Sequence, residues 1–169
     1  MRLLDPALRG NMRYYAFQCS LATVATLIIL AIYSSISNAV IVAALGGSTF
    51  IVFVLPRARS SCARYLVGGY LVGVVAGATG YWLNSVTDLP LRFGLVTNFP
   101  QVVFGALAVG LATFLMVATD TEHPPAAAVS LGIVLLQRWS WVTIAAIMVG
   151  IIMLCLVKRA LKPVLHDLL

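Results

Sequence analysis

The sequence predicts an all-α membrane protein with six transmembrane helices, one of them short or broken. Of its 169 residues, 62% are hydrophobic and only 9% are charged. Soluble domains carry about 25% charged residues, so a soluble fold of this composition could not cover its surface with polar groups. The chain also contains apolar runs of the length that a membrane helix needs, about 20 residues. A soluble domain and a disordered tail are therefore excluded.

The apolar runs divide a single transmembrane domain, residues 1–169, into six spans. The predicted spans are 14–33, 36–55, 65–83, 99–118, 124–137 and 139–157. The fifth run is too short for a full crossing, because at 1.5 Å per residue it reaches about 21 Å across a core of about 30 Å. It is either a re-entrant segment or a crossing that starts inside the membrane.

The basic residues favour a crossing and orient the chain. With six crossings, nine of the 11 basic residues share the side that holds both termini, namely Arg2, Arg9, Arg13, Arg57, Arg59, Arg64, Lys158, Arg159 and Lys162. Arg92 and Arg138 fall on the other side. Lys and Arg accumulate in cytoplasmic loops, so both termini are predicted to be cytoplasmic, in the inner (plasma) membrane of a bacterium. The net charge of +6 therefore reflects topology, and we expect lipid but no nucleic acid as a partner.

Glycines in the third span predict a close helix contact. Gly69, Gly73 and Gly77 recur every fourth residue and form a smooth stripe that another backbone can approach. Two interpretations are open: packing inside the chain, or the interface of a homo-oligomer.

Two segments resemble each other across the chain. Residues 25–31 are similar to 112–118, and 42–46 are similar to 129–132. Because the first helix of each pair would run in opposite directions, the pattern indicates a 3+3 inverted repeat, a common plan among transporters.

The polar residues are densest at 119–125, between the fourth span and the short fifth one. His123 precedes a proline and is biased away from helical dihedrals, as suits an N-cap. Pro124 then fits the first helical position. The fifth helix therefore starts at a defined residue, which the short span places below the headgroups. The alternative is an ordinary polar turn at the surface.

The second span carries a matching feature, the sequence Gly-Gly-Ser-Thr at 46–49. Glycines weaken a helix, and Ser or Thr can cap a restarted one, so a break is predicted here unless the glycines are a packing notch. Two helix N-termini would then face the membrane centre and could hold a small anion. The predicted substrate-binding residues are Gly47, Ser48, Thr49, Thr121, His123, Pro124 and Pro125. Asp120, Glu122 and His123 could together couple transport to protons.

The sequence at 121–128, Thr-Glu-His-Pro-Pro-Ala-Ala-Ala, resembles the signature of the HPP family of integral membrane proteins. The resemblance includes 46–49, Arg64 and the pair at 68–69, and it covers nearly the whole chain from the first span onward. It implies a multi-pass membrane protein. Because some members are implicated in nitrite transport, it also implies a small anion as substrate, with His123, Pro124 and Pro125 at the site.

The chain departs from the family pattern at three positions. Tyr70 stands where members often have His, Tyr65 where Asn is common, and Ala127 where Gly is frequent. These differences concern the substrate more than the fold.

Three functions compete. The leading hypothesis is a transporter or channel for a small inorganic anion, most plausibly nitrite, without enzymatic activity, metal or cofactor. The second is a membrane module that assembles with a partner through the glycine stripe. The third is an intramembrane enzyme that uses Asp120, Glu122 and His123 as acid, base or metal ligands.

Overall fold

The described part of the chain is all helical. The computed structural model describes residues 6–32, 39–87, 99–136 and 140–168, and in these ranges it contains no strand. Six α-helices are α1 (Pro6–Ile32), α2 (Ala39–Val54), α3 (Ala63–Val86), α4 (Phe99–Ala118), α5 (Pro124–Val134) and α6 (Trp141–Leu161), with a 3-10 turn at Arg59–Ser61 after α2. The predicted all-α class is confirmed.

The helices differ in how far they reach. Within the described residues, α3, α4 (from Pro100) and α6 are long and apolar enough to cross a membrane. The apolar helices α2 and α5 have 16 and 11 residues, about 24 and 16 Å. The short fifth helix of the prediction is therefore present, and it ends at Val134, earlier than expected.

Local residues explain several helix ends. Helix α1 is described from Pro6 onward, before the apolar run begins. Helix α2 ends at Val54, since the next residue precedes Pro56 and is disfavoured in the helical region. Helix α6 follows Ser140, whose side chain caps it by accepting from the Thr143 N–H at 3.2 Å.

Contacts between loops show that consecutive helices run in opposite directions. Arg59, after α2, pairs with Asp120, after α4. Gln18 of α1 bonds the backbone of His166, beyond α6. The start of α1 and the end of α6 therefore share one end of the bundle.

We call this the basic end. Its described basic side chains are Arg13, Arg57, Arg59, Arg64, Lys158, Arg159 and Lys162. Helices α1 and α4 run in opposite directions, as an inverted repeat requires, but the repeat stays a prediction. Arg92 and Arg138 lie outside the described residues.

The glycine stripe of α3 is a packing surface within the chain. A Cβ atom at Gly69 would lie 2.7 Å from Cβ of His123, and one at Gly73 would collide with the Ala126 carbonyl oxygen. Gly77 contacts α5 in the same way. The stripe is therefore not an oligomer interface, because α5 covers it.

Helix α5 lies among α2, α3 and α4. Its Ala126, Val129 and Ile133 are fully buried, and Pro125 packs on α2, 3.3 Å from the Cβ position of Gly47. This packing fixes the start of α5, and with it His123, inside the bundle.

Candidate functional site

The turn between α4 and α5 reverses the chain in five residues. The Thr121 N–H donates to the Met116 carbonyl at 2.9 Å and the Asp120 N–H to the Val117 carbonyl at 3.3 Å, the two bonds of a Schellman motif. Asp120 takes the left-handed position with φ 51°, which Asp adopts more readily than most residues. The helix end is thus closed without glycine.

His123 is the N-cap residue of α5, with extended dihedrals of −140° and 92°, but its side chain does not cap the helix. The ring is fully buried and both of its nitrogens are bonded. Nδ1 lies 2.9 Å from the Ser60 carbonyl oxygen, and Nε2 lies 2.8 Å from Ser48 Oγ. Since a carbonyl only accepts, Nδ1–H donates to Ser60.

Ser48 extends this arrangement to a third helix. Its Oγ lies 2.8 Å from the hydroxyl of Tyr70 in α3, and both side chains are fully buried. We call the series Ser60 carbonyl, His123, Ser48 and Tyr70 the buried hydrogen-bond chain. It links α2, α3, the start of α5 and the loop after α2.

The Ser48 hydroxyl has three acceptors within reach, and two of them bear on the state of the imidazole: His123 Nε2 at 2.8 Å and the Ala44 carbonyl at 3.1 Å, the third being the Tyr70 hydroxyl. When its proton points to Nε2, the imidazole is neutral. When it points to Ala44, Oγ can accept a bond from a protonated ring. Rotation of a single O–H bond therefore accommodates either protonation state of His123.

The predicted break in α2 is wrong. Helix α2 continues through 46–49, because within lipid a helix satisfies its own backbone groups. The missing side chain of Gly47 leaves room for Pro125, whereas a Cβ at Gly46 would meet nothing within 4 Å. Within the described residues, no second helix begins at 46–49, so the expected pair of facing N-termini is not formed.

The start of α5 also offers fewer backbone donors than expected. Pro124 and Pro125 have no N–H, and the Ala126 N–H donates to the His123 carbonyl at 2.9 Å. A backbone cradle for an anion is therefore absent from the first three positions of α5. The chemistry of this site lies in the imidazole and the two hydroxyl groups.

Two predicted binding residues point elsewhere. Thr49 Oγ1 donates to the Leu45 carbonyl at 3.0 Å, within α2. Thr121 Oγ1 lies 2.8 Å from Thr119 Oγ1, and its methyl group packs at Gly68, 2.7 Å from the Cβ position. Neither residue joins the buried hydrogen-bond chain.

Asp120 belongs to a cluster at the basic end. Its carboxylate lies 2.8 Å from Arg59 and 3.5 Å from Arg64, and it accepts from the Tyr65 hydroxyl at 3.1 Å. The hydrogen bond of Arg59 to Tyr65 and the charge of Asp120 raise the pKa of Arg59, so this guanidinium keeps its charge. The cluster ties the loop after α2 to the turn after α4.

Glu122 is exposed, and the ring of His123 is bonded to Ser60 and Ser48. The acidic residues therefore do not contact the imidazole as the proton-coupling hypothesis pictured, and their role in coupling stays a prediction. Among the described residues, no group of three His, Cys, Asp or Glu could hold a metal ion.

Sequence reasoning missed Tyr70 and the Ser60 carbonyl as partners of His123. Tyr70 had a signal, because a tyrosine in an apolar helix needs a partner for its hydroxyl when it is buried. The sequence carries no signal for the Ser60 carbonyl, because any backbone carbonyl can accept a hydrogen bond. Only the fold brings this carbonyl to Nδ1 of His123.

The comparison with protein families agrees with this architecture. The model of the family described as HPP, transmembrane region, matches residues 7–166, nearly the whole chain. No curated protein and no solved structure matches the chain.

Proposed function

Because the chain belongs to the HPP family of transmembrane proteins, we propose that it is a transporter or channel for a small inorganic anion. Nitrite is the first candidate, since the resemblance to the family implies it. One observation carries the proposal: a fully buried histidine and two buried hydroxyls at the start of a helix of 11 residues. Polar side chains that are fully buried in a membrane protein are costly and commonly functional.

The donors of the buried hydrogen-bond chain suit a small oxyanion. Ser48 and Tyr70 each supply an O–H that can donate to an oxyanion. In the described conformation these groups bond each other and are shielded from solvent. This is a closed state, and an anion enters when Ser48 and Tyr70 exchange their mutual bond for bonds to the anion.

The basic end supports an anionic substrate. The described side chains there include seven Lys and Arg and few acids. A net positive charge at this end raises the local concentration of anions near the bundle. The loop after α2 connects this end to the buried hydrogen-bond chain, because the Ser60 carbonyl accepts from His123 while the adjacent Arg59 lies in the exposed cluster.

Transport can be tested with purified protein in liposomes. We expect uptake of nitrite above that of empty vesicles, and a loss of about tenfold or more for Tyr70→Phe, which removes a single hydroxyl. Thr113→Val is the matched control, since the Thr113 hydroxyl is exposed and bonds the Val109 carbonyl of its own helix.

Three outcomes are informative. Flux of nitrate or another small anion in place of nitrite would correct the substrate and keep the function. Equal flux in the Tyr70→Phe and Thr113→Val proteins would show that the Tyr70 hydroxyl does not bind the transported anion. No flux of any small anion above empty vesicles would refute transport.

A further inference from the structure

A separate cavity of about 900 Å³ opens at the basic end, beside the last turns of α6. Four of its lining residues are basic, and they are Arg57, Lys158, Arg159 and Lys162. Its lining shares no residue with the buried hydrogen-bond chain, although its four basic residues belong to the basic end.

Three of these four cations form no ion pair with a carboxylate of the described residues. The Arg57 guanidinium lies 3.8 Å from the Asp167 carboxylate. The backbone N–H of Arg57 also donates to that carboxylate, at 3.0 Å. Within the described residues, no ion pair involves Lys158, Arg159 or Lys162. The C-terminal dipole of α6 offers only about half a negative charge. A net positive charge therefore remains in the cavity.

Lys158 is held in position for an anion. Its Nζ donates to the Ser61 carbonyl at 2.5 Å and to Ser61 Oγ at 2.7 Å, and Ser61 is fully buried. Both partners are neutral, so they orient the ammonium without cancelling its charge. A partly buried cation with neutral partners gains most from a negatively charged ligand.

The other walls of the cavity are apolar and continue along α6. Leu156 lines the cavity, and 60% of this residue is exposed. Further along the helix, the exposed fractions are 45% for Ile152, 49% for Val149 and 78% for Val142. These positions lie on one face of the helix. From Val142 to Leu156 this face is about 21 Å long, enough to cover the hydrocarbon of one leaflet, about 15 Å. Arg159 continues the same face beyond Leu156.

We propose that this cavity binds the phosphate headgroup of an anionic phospholipid, with an acyl chain along the exposed face of α6. Arg159, Lys162 and the fixed Lys158 contact the phosphate, and Leu156 and Ile152 contact the chain. A basic pocket between membrane helices is the kind of site that holds such headgroups. A free phosphate would use the same cations but not the apolar face.

Binding can be measured by native mass spectrometry of the full chain released from detergent. The ligands are phosphatidylglycerol, phosphatidylcholine with the same acyl chains, and inorganic phosphate. We expect phosphatidylglycerol to bind most tightly. Arg159→Gln with Lys162→Gln should weaken it about 30-fold, because each basic residue near an anionic lipid contributes roughly a fivefold factor.

Two further variants separate the parts of the site. Arg13→Gln changes an exposed basic residue of α1 outside the cavity and should leave the affinity unchanged. Leu156→Ser should weaken phosphatidylglycerol but not inorganic phosphate. Equal binding of the two lipids, wild-type affinity in the double variant, or inorganic phosphate binding as tightly as phosphatidylglycerol would each overturn the proposal. None of these measurements depends on flux, so they stand apart from the transport test.

Discussion

At the scale of single residues, His123 is defined by the partners of its two nitrogens. Its position before Pro124 predicts a helix start, and the structure confirms it. Its partners are neutral groups, the Ser60 carbonyl and Ser48, while Asp120 is held by Arg59 and Arg64. Neighbours in sequence need not share a contact, because the extended backbone at His123 sends its side chain into the bundle.

Ser48→Ala should lower the free energy of unfolding by about 1–3 kcal/mol, because it removes the hydroxyl that bonds Nε2 of the buried His123. Unfolding in detergent micelles, followed by circular dichroism, measures this. Thr113→Val, which removes an exposed hydroxyl, should change the free energy of unfolding little. Equal losses in both variants would show that the buried hydrogen-bond chain does not stabilise the fold.

At the scale of helices, α3 and α5 depend on each other. Helix α5 has only 11 residues, and its place in the bundle depends on the close approach that Gly69, Gly73 and Gly77 permit. Gly47 of α2 likewise leaves room for α5, at Pro125, whereas a Cβ at the adjacent Gly46 would meet nothing within 4 Å. The role of a glycine therefore depends on what packs opposite it.

Gly73→Ala should destabilise the protein by about 1–3 kcal/mol, the cost of overpacking, since the new Cβ collides with the Ala126 carbonyl oxygen. Gly46→Ala is the matched control, because nothing lies within 4 Å of its Cβ position and alanine favours the helix by about 0.5–1 kcal/mol. Thermal unfolding in detergent compares the two. A Gly73→Ala protein as stable as Gly46→Ala would contradict the packing described here.

At the scale of the whole molecule, basic residues collect at one end of the bundle. The loop after α2, the turn after α4 and the segment after α6 meet there through ion pairs and hydrogen bonds. The distribution of charge along the sequence predicted this end as one side of the membrane, and the contacts bring its residues together. That this end is cytoplasmic stays a prediction, based on the preference of Lys and Arg for that side.

Labelling with a membrane-impermeant maleimide tests the orientation. With the three native cysteines replaced by alanine, Arg159→Cys should react only from the cytoplasmic side of oriented vesicles. Thr87→Cys, at the end of α3, should react only from the opposite side. If both cysteines reacted from the same side, the antiparallel arrangement of consecutive helices would be contradicted. If Arg159→Cys reacted only from the outside and Thr87→Cys only from the cytoplasmic side, the predicted orientation would be reversed.

Local patterns in the chain are sufficient for the membrane class, the order of the six described helices, and the start of α5 directly after His123. Hydropathy, prolines and caps act within a few residues, so they can be read directly. The continuity of α2, the face of α3 that meets α5, and the partners of His123, 63 and 75 residues away in the chain, depend on tertiary packing. The physical reason is that these helices are apolar on most faces, so their sequence does not say which face meets a neighbour. Only the assembled bundle brings Ser48, Tyr70 and the Ser60 carbonyl to one imidazole.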